Sequence, residues 1–269
     1  MSLDAVSFLL LLLTGLVSGI LAGFLGIGGG TLLVPVLVQF GFIPVQATAS
    51  SSLAILVTSS AGSLQNWRMK LLKLRQVVLL GAPAVLTAIG GAALANYLPD
   101  RWLLIGFGLL LLLNLYLVSL KKQVIRTAQF REPRMTTGGP AISPIAARIF
   151  TGAIAGLMAG LFGVGGGVIL VPLQILLLGE DIKTAVRTSL GVIVITSISA
   201  CSYHTFQGNI VFPAGLLLGF GGLIGVQIST RYLPKLSDRT VTQLFRIMLV
   251  VLALYMFWQA TTISPTGTV

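Results

Sequence analysis

The sequence predicts an all-α, polytopic integral membrane protein built from two homologous repeats, and three observations carry that prediction. Of its 269 residues, 55% are hydrophobic and only 9% charged, against roughly 25% charged in an ordinary soluble domain. Long apolar runs recur at 103–120, 190–203, 212–230 and 240–258, each suited to a helix that crosses a bilayer. The chain also writes one phrase twice: GFLGIGGGTLLVP at 23–35 and GLFGVGGGVILVP at 160–172, identical at eight of thirteen positions when the sequence is shifted by 137.

The first apolar stretch carries Asp4, no basic n-region and no small-x-small cleavage site, so it reads as a retained membrane segment. Gly15, Gly19 and Gly23 recur along it every four residues, as Gly152, Gly156 and Gly160 do in the second half. One helix face of small residues permits close helix packing. The glycine cluster comes next, and after it a short apolar run, 31–40 or 168–178. As a helix of about 11 residues that run rises only ~16 Å, half the hydrocarbon thickness. Then come a longer run opening with small hydroxylated residues, 45–66 or 182–204, and two more long helices. Ser52-Leu53 aligns with Ser189-Leu190, and Tyr97-Leu98-Pro99 with Tyr232-Leu233-Pro234 after small shifts. The join is KKQVIRTAQFREPRMTTGGP, 121–140, whose charge, Pro and Gly read as an exposed linker. This divides the chain into a first transmembrane repeat (1–120), a cytoplasmic linker (121–143) and a second repeat (144–269).

Charge placement selects between two topologies. With four passes per half, both halves point the same way, and Lys183, Arg187, Arg231, Lys235 and Arg239 fall on the side opposite the basic clusters of 68–75 and 121–134. If the glycine cluster bends the chain into a hairpin, each half has five segments and the halves are inverted. Arg101 is then the only clearly external basic residue, as the positive-inside bias requires. The inverted arrangement is therefore preferred, and it leaves Trp67, Trp102 and Trp258 near segment ends. The formal charge of +11 is a topology signal facing anionic headgroups; its short clusters lack the aromatic-rich polar surface of a nucleic-acid binder. A single cysteine, Cys201, excludes an internal disulfide and a cysteine metal cage; neither a metal nor a cofactor is expected.

Inside a bilayer, non-helical backbone survives only where protein buries it or where it lines a wet cavity. The clusters therefore predict buried breaks at Gly26, Gly28, Gly29 and Gly30 and at Gly163, Gly165, Gly166 and Gly167, with new helices beginning at Thr31 and Val168. Unpaired N–H groups and the positive dipole ends of those helices suit an anion. Neither cluster is a nucleotide loop, since no Lys-Ser/Thr pair and no strand-plus-acid context accompanies it. Ser51, Ser52, Thr188 and Ser189 are candidate hydroxyl donors to the same anion, although hydroxyls at such positions also bond their own helix or a neighbouring one. Arg187 either anchors an oxyanion bidentately or reaches to the headgroups. Gln65, Asn66, Tyr203 and His204 are candidates for gating or coupling, His204 being the only histidine. All six carboxylates lie at segment ends or in loops, so no membrane-buried acid is evident for proton or sodium coupling.

Those residues also carry a resemblance. GFLGIGGGTLLVP…SSSLAIL and GLFGVGGGVILVP…TSLGVIV resemble the duplicated motif of the TauE/SafE family of sulfite and organosulfur-anion exporters, over nearly the whole chain. The resemblance implies a multi-pass permease of the bacterial cytoplasmic membrane, usually described with about eight passes, that carries sulfite or a related organosulfur anion. The expectation is a secondary transporter and not an enzyme, with the bilayer and a small anion as partners, no nucleic acid, and room for a homo-oligomer. Uptake or uniport of another small anion or a carboxylate is the alternative within transport. An intramembrane enzyme or assembly factor is the alternative outside it, opposed by the missing metal-ligand cluster and nucleophile–base pair.

Overall fold

A computed structural model describes residues 5–129 and 143–262, and its regular structure is entirely helical among them. The first five helices are α1 (Ala5–Leu25), α2 (Gly30–Gln39), α3 (Pro44–Arg68), α4 (Leu74–Ala95) and α5 (Asp100–Gln129). The next five repeat that order of lengths: α6 (Pro144–Phe162), α7 (Gly167–Leu177), α8 (Ile182–Phe206), α9 (Phe212–Tyr232) and α10 (Asp238–Thr262). A single 3-10 turn, Leu233–Lys235, separates the last two. Among the described residues, five helices have the length and apolar composition to cross a membrane: α1, α4, α6, α8 and α9. The 121–143 stretch read as a linker is helical as far as Gln129, as the end of α5; residues 130–142 of it lie outside the described residues.

Local chemistry places the helix ends. Pro44 and Pro144 sit in the first turns of α3 and α6, where the missing N–H costs nothing and the ring favours helical φ. The Asp181 carboxylate accepts a hydrogen bond from the Thr184 N–H at 2.9 Å and caps α8. Burial pulls that carboxyl upward, but the bonds from Thr184 and the charges of Arg187 and Lys73 outweigh it and hold the group below the ordinary carboxylate range.

The small-residue faces pack as their spacing predicts. A Cβ added at Gly15 would collide with the Leu218 carbonyl, and one at Gly19 with the Gly222 carbonyl, so α1 lies backbone to backbone on α9. On the other side of the body, Gly152, Gly156 and Gly160 of α6 abut the carbonyls of Leu80, Ala84 and Ala88 of α4. Both pairs run parallel, since residue numbers rise together along each contact.

The remaining directions are set by polar contacts at the two ends. At one end the Lys73 ammonium lies 3.9 Å from the Glu180 carboxylate and that of Lys183 lies 3.3 Å from Asp238. This brings together the close of α3, the opening of α8 and the opening of α10. At the other end the Asn209 side chain donates to Asn96 at 3.0 Å, and the Val211 N–H donates to the Ser50 hydroxyl at 3.0 Å. Helices α3 and α8 are therefore antiparallel, and with them α4 and α9; α1 and α6, each parallel to one of that pair, point in opposite directions. Lys73, Lys183 and their neighbours crowd the first end, whereas the second is built from Asn96, Tyr203, Gln207 and Asn209.

Candidate functional site

Helix α1 stops at Leu25 and α6 at Phe162, and each gives way to the same sharp turn. Gly26, Gly28 and Gly29 take φ of 68°, 74° and 86°, and Gly163, Gly165 and Gly166 take 62°, 73° and 76°. Three left-handed residues in four positions can be built cheaply only from glycine. The chain then doubles back. The Ser18 hydroxyl, in α1, donates to the Gly29 carbonyl at 2.8 Å, so α2 descends beside the helix that delivered it. Helices α2 and α7 begin at Gly30 and Gly167, one residue before the predicted starts, a difference within ordinary helix-boundary scatter.

The two breaks pack against each other. A Cβ at Gly30 would lie 2.5 Å from the Gly163 carbonyl oxygen and 2.6 Å from the Val164 Cα, and one at Gly167 would strike the Gly26 carbonyl and lie 2.7 Å from the Ile27 Cα. Ile55 and Ile193 close over the junction, each within about 3 Å of where side chains at Gly28 and Gly165 would begin. Every residue from Leu25 to Thr31 and from Leu161 to Leu170 is buried.

Hydroxyls brace this junction through its carbonyls. Ser51 donates to the Gly163 carbonyl at 2.9 Å, Ser189 to the Gly26 carbonyl at 2.5 Å and Thr196 to the Gly165 carbonyl at 3.2 Å. Ser51 and Ser189 thus tie α3 to the second break and α8 to the first. The Ser52 hydroxyl turns to its own helix at the Thr48 carbonyl, and that of Thr188 lies 3.5 Å from the Gln76 amide oxygen. Sequence reasoning did not reach Ser18 and Thr196. The one available signal for Ser18 was a hydroxyl standing between Gly15 and Gly19 in an otherwise apolar run.

Hydroxyls thus take the carbonyls of Gly26, Gly29, Gly163 and Gly165, and the amides of the breaks find no such partner. The N–H groups of Ile27 through Thr31 and of Val164 through Val168 have no backbone acceptor among the described residues. The hydroxyl of Thr31, fully buried in the first turn of α2, has no partner either. A buried donor left unmade costs about 1–3 kcal/mol, and the two helix N-termini gathered in this buried place turn the positive ends of their dipoles toward it. Val168 contributes its amide there, its side chain being fully buried.

The other predicted residues lie elsewhere. Arg187 stands in the first turns of α8 at the basic end, its Nε buried without a partner in a partly buried side chain. Gln65 and Asn66 close α3 at that same end, whereas Tyr203 and His204 close α8 at the opposite one. Asn66 and His204 are each fully buried, and the polar atoms of both side chains lack partners. Among the described residues no three His, Cys, Asp or Glu side chains gather as a metal site would require.

Membrane-length helices surrounding two buried main-chain turns define a multi-pass membrane protein, and its relatives place it among transporters. The chain belongs to the family described as "Sulfite exporter TauE/SafE", whose profile matches residues 11–256. It is 26% identical to the probable membrane transporter protein YunE of Bacillus subtilis, over 94% of this chain and 98% of that one. It is also 26% identical to a probable membrane transporter protein of Methanocaldococcus jannaschii, over 84% of this chain and 88% of the relative. A probable membrane transporter protein of Haemophilus influenzae is 36% identical over 39% of this chain and 42% of its own length. No solved structure matches the chain.

Proposed function

We propose that this transporter carries sulfite or a related small organosulfur anion across the bacterial cytoplasmic membrane, outward, by alternating access, with the paired glycine breaks as its central site. The observation that carries the reading is the set of unclaimed amides at 27–31 and 164–168, in two breaks that touch. A tetrahedral or pyramidal oxyanion accepts several hydrogen bonds at once, and main-chain N–H groups at two opposed helix N-termini supply them without a titratable side chain. The description of the family, "Sulfite exporter TauE/SafE", supports this substrate class and direction.

The opposed directions of α1 and α6 fit an inverted duplication, in which one half rocks against the other around a shared site. Ser51 and Ser189 are well placed for this role, because each bridges a break to a helix of the other half. Both breaks are buried, as an occluded state requires. Moving between outward- and inward-open states would exchange which bridge holds.

Flux of radiolabelled sulfite into proteoliposomes tests the proposal. Wild-type protein is expected to exchange label, and the Gly29→Ala/Gly166→Ala double variant to lose at least tenfold in rate while still inserting. Equal flux by both proteins defeats the site assignment. Flux of an unrelated carboxylate in place of sulfite defeats the substrate.

A further inference from the structure

On the outer surface of the body α3 and α9 pack side by side, Gly215 and Gly219 of α9 lying against Leu53 and Val57 of α3. Two adjoining clefts open there, of about 670 and 460 Å³, sharing Leu223 and Gln227 as their common wall. Their flanks are apolar: Ile224 and Ile228 of α9 on one side, Leu56, Val57 and Leu64 of α3 on the other. Ile224, Ile228 and Leu64 are 49%, 45% and 43% exposed, and α9 has the length and apolar composition to cross a membrane. Toward the basic end the same clefts finish in cations, Arg231 and Lys235 in one and Arg68 in the other. Lys235 is held over the Tyr232 ring, 5.0 Å from its centroid, and Arg68 and Arg231 have no ion-pair partner among the described residues.

We infer that this groove binds an anionic phospholipid of the leaflet at the basic end, with the phosphodiester between Arg68, Arg231 and Lys235 and an acyl chain along Leu56, Leu64, Ile224 and Ile228. Length supports that occupant: from Leu56 to Arg68 a helix rises ~18 Å, close to the ~15 Å depth of one leaflet's hydrocarbon. Charge supports it too, since cations at headgroup level above an apolar wall match an amphiphile with a negative head. A soluble anion would leave the wall unused, and a zwitterionic lipid would leave the cations unmatched. Gln227, in the shared wall, can donate to a glycerol ester below the phosphate.

The full chain, purified in mild detergent, is titrated with phosphatidylglycerol, with phosphatidylcholine and with inorganic phosphate; retained lipid is counted by native mass spectrometry and Tm is monitored in parallel. Phosphatidylglycerol is expected to be retained preferentially and to raise Tm. The Arg68→Gln/Arg231→Gln/Lys235→Gln variant is expected to lose that preference, by about fivefold per cation and so roughly a hundredfold in all. Lys70→Gln/Arg75→Gln/Arg239→Gln, which removes three exposed cations outside the clefts, is expected to keep it. Equal retention of the two lipids by wild-type protein overturns the inference, and this needs no variant. So does an equal loss in the control triple, a phosphate effect matching that of the lipid, or a lipid-independent dimer that buries Ile224 and Ile228.

Discussion

Gly29 shows how much a single missing Cβ decides. Its φ of 86° is disfavoured for any L side chain, and a Cβ there would also strike the Ser18 hydroxyl that bonds its carbonyl. Gly29→Ala should therefore destabilise by about 1–3 kcal/mol through backbone strain, and by more through the clash. Ser18→Ala should cost about 1 kcal/mol for the lost hydrogen bond. Because both act at one contact, they should not add: the Ser18→Ala/Gly29→Ala double variant is expected to be more stable than the sum of its singles, by about 0.5 kcal/mol or more. Thermal unfolding of the four proteins in one detergent measures this, and strict additivity would mean that the break does not rest on Ser18. The residue scale is also where the sequence was least legible. The pattern offers Ser51 and Ser189 either as donors to a ligand or as bridges between helices, and their hydroxyls are engaged with the carbonyls of the opposite break; a hydroxyl's partner depends on what the fold brings within about 3 Å of it.

Helix ends and helix faces were easier to read. The short apolar run, the Pro at the head of α3 and the four-residue glycine spacing each rest on chain geometry that one segment contains. The cap of α8 yields a prediction with a definite sign. Asp181 has its carboxyl held below the ordinary value, so its contribution is fully present above the unfolded-state value near 3.9 and is lost as pH falls through the lowered one. Wild-type Tm should therefore drop between about pH 5 and pH 3 more than that of Asp181→Asn, which caps without titrating. Parallel pH profiles for the two proteins would show that the cap does not depend on the charge. Helix α5 marks the limit at this scale: the polar, charged stretch from 121 onward reads as a linker, yet the helix continues to Gln129. Lys, Gln, Arg and Ala are all good helix formers, and polarity reports that a segment leaves the bilayer and not that its helix stops.

For the whole molecule, the distribution of charge sets orientation. Arg68, Lys70, Lys73, Arg75, Lys183 and Lys235 gather at one end, and Asn96, Tyr203 and Asn209 meet at the other. Under the positive-inside bias, the proposed orientation puts the first end on the cytoplasmic side. In a Cys201→Ala background, Phe206→Cys, at a site 90% exposed, is expected to react with a membrane-impermeant maleimide in intact cells. Lys70→Cys is expected to react only after lysis. The reverse pattern would invert the molecule in the membrane.

Composition and a phrase written twice were enough to establish a helical membrane body, its glycine breaks, its half-length helices and its family, because hydrophobic length, backbone permissiveness and motif spacing are properties of the local chain. Tertiary structure alone decided which atoms of the two breaks touch, that Ile55 and Ile193 seal them, and that the hydroxyls of Ser51 and Ser189 take the carbonyls of Gly163 and Gly26. Those facts depend on residues more than a hundred positions apart meeting across antiparallel helices, and no local pattern encodes which atoms such a meeting leaves without a partner.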